Sequence, residues 1–96
     1  MKKGYLIVRV SVKNTELFEQ YPPLSAPAIE KYGGKYLIRG GKFDVLEGNW
    51  DIDRTTVIEF DSFEKAKKCY ESLEYQKAKE IRQQSAESDF ILIEGY

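Results

Sequence analysis

The feature that most constrains the fold is a strict two-residue alternation near the start of the chain. Between Gly4 and Val12, one set of alternate positions is wholly apolar, at Leu6, Val8, Val10 and Val12. The positions between them carry Tyr5, Ile7, Arg9 and Ser11. This period is typical of a β-strand because successive side chains point to opposite faces of a sheet. The pattern predicts a strand with one apolar face and a second face that is also largely apolar.

A first helical region follows this strand. Asn14 is a candidate N-cap, because its side chain can accept a hydrogen bond from the first turn of a helix. Pro22 and Pro23 lack a backbone N–H, so we expect them to interrupt the helix, and a second segment to restart near Ser25 with Pro27 in its first turn. Gly33-Gly34 is expected to end that segment.

The second half of the chain predicts two strands, a kinked helix and a final strand. Residues 36–46 read as a long strand broken at Gly40 and Gly41, where glycines favour a bulge or a close approach to the backbone. Residues 47–53 are predicted as a loop, 55–60 as a strand and 90–94 as the last strand. Between them, Asp61 or Ser62 caps a helix that a second cap at Ser72 is expected to kink, with Phe63, Ala66, Tyr70 and Leu73 on its buried stripe.

The predicted order is strand, helix, strand, strand, helix, strand. This order is typical of the ferredoxin-like βαββαβ sandwich, an α+β fold with a four-stranded antiparallel sheet and two helices on one face. Ninety-six residues suffice for one domain and are too few for two, and no linker interrupts them. We therefore expect residues 1–96 to form a single domain.

Both faces of this sheet are predicted to be apolar. We expect the helices to cover Leu6, Val8, Val10, Ile58, Phe60, Ile91 and Ile93. The opposite face then receives Tyr5, Ile7, Arg9, Arg39, Val57, Glu59, Phe90, Leu92 and Glu94. An exposed apolar patch of this kind marks an interaction surface, and a second copy of the chain can cover it in a two-fold homodimer.

Composition excludes several classes of function. Fifteen basic and sixteen acidic residues give a net charge of −1, which argues against nucleic-acid binding. No apolar run is long enough to cross a membrane, and Met1-Lys2-Lys3 leads into a strand rather than a secretory segment, so a cytoplasmic protein is expected. There is no histidine, one cysteine and no glycine motif for phosphate or dinucleotides. We therefore expect no metal and no cofactor, and an inert Cys69 lying off the helix stripe.

The candidate site lies on the face that the helices do not cover. Buried charges must be paired, so Arg9 and Arg39 are expected either to pair with Glu59 and Glu94 or to line a small-molecule pocket. Arg39 stands beside Gly40 and Gly41, where a guanidinium has room to clamp a carboxylate. Tyr5 is a further candidate lining residue, and Trp50 is expected either to cover the cavity or to fold back on the sheet edge.

An ordered set of motifs resembles the domain-of-unknown-function 1330 family. The motifs are Tyr32-Gly33-Gly34-Lys35-Tyr36-Leu37-Ile38-Arg39-Gly40-Gly41, Leu46-Glu47-Gly48-Asn49-Trp50, Arg54, Glu59-Phe60, Tyr70-Glu71-Ser72-Leu73-Glu74-Tyr75, Arg82 and Glu94-Gly95. The resemblance implies a ferredoxin-like fold in the dimeric α+β barrel superfamily and no established activity. Related superfamilies include cofactor-independent monooxygenases, muconolactone isomerases and stress-response barrel proteins, and fold alone does not choose among them.

Three functions follow from the sequence. In the first, a homodimer binds a small, partly apolar, anionic metabolite through Arg39 and Arg9. In the second, the protein is a cofactor-independent isomerase or monooxygenase, with Glu59 or Glu94 as general base and Arg39 stabilising an enolate-like anion. In the third, it is an assembly protein without a ligand. The sequence leaves open whether the chain is an enzyme.

Overall fold

A computed structural model describes residues 2–96 of the chain. Its strands and helices follow the order β1 (Gly4–Val12), α1 (Thr15–Phe18), α2 (Pro22–Lys31), β2 (Lys35–Arg39), β3 (Arg54–Phe60), α3 (Phe63–Glu71), α4 (Leu73–Ser85) and β4 (Ala86–Glu94). The strands form one antiparallel sheet in the order β2-β3-β1-β4. This is the ferredoxin-like α+β arrangement predicted from the order of elements.

The helices α1 and α2 begin where local chemistry favours a helix start. Asn14 caps α1, since its side-chain oxygen accepts from the Leu17 backbone N–H at 3.1 Å. The break lies after Phe18, and Pro22 begins α2 rather than ending a helix, which corrects the predicted restart near Ser25. Proline suits the first turn because its missing N–H has no helical partner there. Gly33, with φ of +78°, follows the end of α2 as predicted.

The strand β2 is shorter than the sequence predicts. It ends at Arg39, and residues 41–53 form a loop instead of continuing the strand to Leu46. The chain leaves the sheet at Gly40, which has φ of +64° and whose N–H donates to the Thr55 carbonyl at 2.9 Å. A shift in pairing register between Tyr36 and Ile38 marks a bulge within β2.

The second helical region is divided at Ser72, as predicted. The Ser72 hydroxyl donates to the Cys69 carbonyl at 2.7 Å and accepts from the Tyr75 N–H at 3.2 Å, so one side chain serves both helices. The break changes the expected stripe. Leu73 is 79% exposed rather than buried, while Cys69 lies in the core at 1% exposure.

The core lies between the helices and one face of the sheet. Its largest cluster joins residues of the strands with residues of α1, α2 and α3, including Leu6, Val8, Val10, Phe18, Ile29, Ile58, Phe60, Ala66 and Cys69. The chain measures 34 × 33 × 16 Å, and its short dimension is that of one sheet with one helix layer. Within residues 2–96, no helix and no second sheet covers the other face of the sheet, which we call the open face.

The strand β4 has the opposite phase from the one predicted. It begins at Ala86 rather than Phe90, and Leu92 and Phe90 pair with Leu6 and Val8 on the helix-covered face. Ile91 and Ile93 therefore lie on the open face and are 53% and 47% exposed. Both rows of this strand are apolar, so alternation alone gave no basis for choosing between them.

Candidate functional site

A continuous apolar row crosses the open face. Cross-strand pairing places Ile38, Val57, Ile7 and Ile91 side by side on β2, β3, β1 and β4. The two outer members, Ile38 and Ile91, are 49% and 53% exposed. The neighbouring rows carry most of the polar groups, with Lys35, Glu59 and Tyr5 on one side and Thr55, Arg9 and Asp89 on the other.

Tyr5 and Glu59 form a hydrogen bond on this face. The Tyr5 hydroxyl donates to Glu59 Oε2 at 3.1 Å, and this bond is the main reason why the pKa of Tyr5 is raised. Glu94 was expected on the same face. It pairs instead with Gly4, which is two residues from Leu6 and therefore on the same, helix-covered face. Glu94 thus lies on the opposite face from Glu59.

Arg9 and Trp50 meet at one edge of the open face. The Arg9 guanidinium carbon lies 4.4 Å from the centre of the Trp50 ring, and the indole N–H donates to Thr55 Oγ1 at 3.1 Å. Trp50 thus folds back onto the sheet, one of the two arrangements expected for it. The Arg9 Nε atom is buried and has no hydrogen-bond partner.

An open groove of about 770 Å³ lies between the 41–53 loop and the adjoining strands. Its apolar lining includes Leu37, Ile38, Phe43, Val45, Leu46 and Trp50. Gly41 also lines it, and its polar lining residues are Arg39, Lys42, Asp44, Glu47 and Thr55. This volume is typical of a small-molecule site, although one side of the groove is open.

The bulge in β2 moves Arg39 away from Arg9. Arg39 pairs with Thr56, which shares the helix-covered face with Val8, and its guanidinium carbon lies 4.2 Å above the Tyr36 ring. Its predicted place on the open face is therefore wrong. In residues 2–96 the ion pairs are Lys3–Asp61, Lys31–Glu74 and Lys65–Asp61, so the expected arginine–glutamate pairs do not form.

A second, smaller cavity of about 70 Å³ lies between the sheet and the first helical region. We call it the helix-side cavity. Its polar lining residues are Tyr21, Ser25, Tyr36, Thr56, Arg39 and Arg54, and its apolar walls include Val8, Phe18, Ile29, Ile58 and Phe90. Tyr21, Ser25 and Arg54 were not predicted from the sequence as site residues. Counting back from Ile58 in steps of two reaches Arg54, and this signal places it on the helix-covered face.

A buried arginine lies behind this cavity. Arg82 is 4% exposed, donates to Ser88 Oγ, and its guanidinium carbon is 4.0 Å from the centre of the Phe90 ring. Its Nε atom is buried without a partner, and no carboxylate of residues 2–96 forms an ion pair with it. The hydroxyls of Tyr21 and Tyr75 lie 2.6 Å apart. Burial raises the pKa of both tyrosines, and the Arg82 charge opposes this rise.

Cys69, the one cysteine of the chain, lies in the core. Burial raises the pKa of the Cys69 thiol to about 11, so it stays protonated at neutral pH. In the described part of the chain, no three His, Cys, Asp or Glu side chains lie together as a metal site.

None of the helices in residues 2–96 combines the length and apolar character that a membrane span requires.

The family model described as Domain of unknown function (DUF1330) matches residues 3–96. The chain belongs to this family. A comparison of this DUF1330 chain with curated proteins finds no significant match.

Solved structures share the fold of this DUF1330 chain. One is RPA0582, a protein of unknown function from Rhodopseudomonas palustris, with a TM-score of 0.76, 22% identity, and coverage of 96% of this chain and 81% of that one. SnoaB, a cofactor-independent oxygenase from Streptomyces nogalater, has a TM-score of 0.61 and 12% identity over 97% of this chain and 92% of its own. A dimeric ferredoxin-like protein of unknown function from Thermobifida fusca has a TM-score of 0.54 and 12% identity, covering 97% and 89%. These likenesses establish the ferredoxin-like fold and no activity.

Proposed function

We propose that this DUF1330 chain acts as a homodimer that binds a small, partly apolar, anionic metabolite at the open sheet face. The observation that carries the proposal is the apolar row from Ile38 to Ile91, which crosses all four strands without a covering layer. Exposure of such a row to water is unfavourable by about 25 cal/mol per Å² of apolar surface. A second copy related by a two-fold axis brings the same row against its equivalent and removes both from water.

The groove supports the same arrangement. Its apolar lining continues from the row through Ile38, and Leu46 at its rim is 86% exposed. A second copy packed on the open face covers this rim and turns an open groove into an enclosed site. Enclosure is what a small-molecule site needs in order to bury most of its ligand.

Arg9 and Trp50 supply the recognition chemistry. A ligand with an apolar ring or chain can pack against Trp50, which lines the groove, while its anionic group pairs with the Arg9 guanidinium stacked on the Trp50 ring. Arg39 lines the groove as well as the helix-side cavity, and Gly41 is a lining residue of the groove.

The oligomeric state is the first test. Native mass spectrometry and sedimentation velocity of the wild-type protein are expected to give a dimer at micromolar concentration. Ile7→Lys places a charge in the middle of the apolar row and is expected to give a folded monomer. Leu73→Lys makes the same change at an exposed helix position and is expected to stay dimeric. A monomeric wild-type protein, or the same oligomeric state in Ile7→Lys and Leu73→Lys, overturns the proposed interface.

Ligand binding is tested with two fluorescent probes of similar size. 8-Anilinonaphthalene-1-sulfonate is an apolar anion, and N-phenyl-1-naphthylamine is its uncharged counterpart. Arg9→Gln is expected to weaken binding of the anionic probe about tenfold and to change binding of the neutral probe little. The reason is that a hydrogen bond to a charged group contributes roughly 1.5–3 kcal/mol. Lys77→Gln removes a charge from an exposed helix position and serves as the control. Equal loss of both probes in Arg9→Gln contradicts an anion site at Arg9.

A second candidate, proton-transfer catalysis, is favoured by the contact between Tyr5 and Glu59. Glu59 forms no ion pair within residues 2–96, so its carboxylate is available as a base on the open face. The test uses any metabolite that native mass spectrometry finds bound. Incubation with wild-type protein in D₂O is expected to add deuterium to it, and Glu59→Gln is expected to slow this exchange at least about a hundredfold. Exchange at the same rate in both proteins removes the catalytic candidate.

A further inference from the structure

We infer that the helix-side cavity is a second ligand site, which takes a small carboxylate carrying a hydroxyl or oxo group, with the carboxylate between Arg39 and Arg54. This site lies on the opposite side of the sheet from the open face. The inference is therefore independent of the proposed dimer. Arg39 lines both this cavity and the groove beside Trp50, whereas Arg54 lines the cavity and not the groove.

Two unpaired arginines stand at the mouth of this cavity. The Arg39 guanidinium carbon lies 4.2 Å from the centre of the Tyr36 ring, and that of Arg54 lies 5.6 Å from the centre of the Phe18 ring. Both rings are walls of the cavity. Within residues 2–96 neither arginine forms an ion pair, although two like charges that face one opening repel each other. An anion between them removes this repulsion and uses the planar donor geometry of guanidinium.

Gly40 helps to place these two arginines together. It follows Arg39 in the chain, and a Cβ at this position would lie 3.4 Å from the Arg54 Cβ and 3.6 Å from the Arg54 Cδ. The Arg54 stem therefore lies along the Gly40 backbone. Gly40 also adopts a positive φ of +64°, a conformation that glycine reaches without steric strain.

The interior of the cavity is equipped for a polar group. Tyr21, Ser25 and Tyr36 line it together, and Ser25 is only 2% exposed. Burial raises the pKa of Tyr21 and of Tyr36, so both hydroxyls stay protonated at neutral pH. Neutral hydroxyls can donate to a ligand oxygen or accept from a ligand hydroxyl.

Arg82 adds positive potential behind the cavity. It is buried, it has no carboxylate partner in residues 2–96, and it stacks on Phe90, which is a wall of the cavity. A buried charge without a counter-ion is unfavourable, and a ligand anion in the neighbouring cavity partly neutralises it. Arg39, Arg54 and Arg82 therefore all favour a negatively charged ligand.

The volume limits the size of the ligand. A cavity of about 70 Å³ has room for several waters, at roughly 10–15 Å³ for each water. This space suits a short carbon chain with one oxygen substituent, while the carboxylate remains at the mouth. It excludes nucleotides and long acyl chains.

Three small probes test the site by ¹⁵N chemical-shift titration. Lactate has both groups that the cavity is expected to recognise, propionate lacks the hydroxyl, and lactamide lacks the charge. Lactate is expected to cause saturable shifts at the amides of Ser25, Tyr36 and Gly40. Propionate is expected to bind several-fold more weakly and lactamide at least about tenfold more weakly. Absence of saturable shifts with lactate, or equal binding of lactate and lactamide, overturns the inference.

Variants at exposed positions separate this site from the proposed dimer. Arg39→Gln and Arg54→Gln are each expected to lower the affinity for lactate about tenfold, because each removes a charge-assisted hydrogen bond. Lys35→Gln removes the same charge from β2 on the other face and is expected to bind lactate as the wild type does. Ile7→Lys is also expected to keep lactate binding, whatever its oligomeric state. Equal affinities in Arg39→Gln, Arg54→Gln and Lys35→Gln contradict the inference.

Discussion

The hydroxyl of Tyr21, a wall of the helix-side cavity, lies 2.6 Å from the hydroxyl of Tyr75, which is 2% exposed in the second helical region. Because Tyr75 is buried, this contact is what satisfies its hydroxyl, and it joins the two helical regions across the core. We expect Tyr75→Phe to lower the free energy of unfolding by about 1–3 kcal/mol, since the Tyr21 hydroxyl loses its partner. Urea denaturation followed by circular dichroism measures the change.

A double-mutant cycle isolates this contact from the packing of the rings. Tyr21→Phe with Tyr75→Phe is expected to be less destabilised than the sum of the two single variants, because no unpaired hydroxyl remains. Tyr96→Phe, at a fully exposed position, is the control and is expected to unfold as the wild type does. Strict additivity of the two single variants would mean that the hydroxyls do not interact.

Trp50 is the sole tryptophan of the chain, so its fluorescence reports on the edge of the open face alone. Thr55→Val removes the acceptor of the indole N–H, and Arg9→Ala removes the cation stacked on the ring. We expect both changes to increase quenching by acrylamide, because the ring is held less firmly against the sheet. Arg54→Ala alters the other face of the sheet and is expected to leave quenching unchanged. Unchanged quenching in Arg9→Ala would show that the stack does not persist in solution.

The fold could be predicted from the sequence because its main signals are local and agree with one another. The alternation at Leu6, Val8 and Val10 identified both β1 and its buried face, and Asn14 marked the first helix. Ser72 marked the kink because a serine that can cap a helix interrupts an otherwise helical pattern. Each of these features depends on residues near in sequence, which is why a pattern reveals them.

The positions of the site residues could not all be predicted, because they depend on the phase of strands. A single bulge between Tyr36 and Ile38 moves Arg39 to the other face. Both rows of β4 are apolar, so the sequence did not show whether Ile91 or Leu92 faces the helices. Because Leu92 does, Glu94 also lies on the helix-covered side. Only pairing with a neighbouring strand fixes the phase in such cases. The binding roles predicted for Arg9, Arg39 and Trp50 stay predictions until the titrations above are made.

Gly34 and Gly41 differ in the space around them, and this predicts opposite responses to alanine. A Cβ on Gly34 would lie 2.5 Å from Ile29 Cγ2 and 2.9 Å from Phe60 Cε2, both in the core. We expect Gly34→Ala to destabilise the protein by about 1–3 kcal/mol, since the core must shift. A Cβ on Gly41 meets nothing within 4 Å, so Gly41→Ala is expected to be neutral or stabilising by up to about 1 kcal/mol. Thermal unfolding of both variants measures the contrast, and equal destabilisation would contradict it.

We expect ionisation of the Cys69 thiol to lower the stability of the protein at alkaline pH. Burial raises the pKa of its thiol in the folded protein from 9.0 to about 11, whereas the unfolded chain releases this proton above its ordinary value. Between these two values the unfolded state binds fewer protons, so the free energy of unfolding falls as pH rises. At about 1.4 kcal/mol for each pKa unit, the loss from this group is about 2–3 kcal/mol by pH 11.

The comparison with Cys69→Ala separates this contribution from that of the tyrosines, whose alkaline titration both proteins share. We expect the stability advantage of the wild type over Cys69→Ala to be constant below pH 9 and to shrink between pH 9 and 11. Urea denaturation at each pH gives the difference. Because Cys69 is 1% exposed, we also expect it to react with a thiol reagent at neutral pH only after unfolding. A pH-independent difference, together with rapid labelling of the native protein, would place the thiol at the surface.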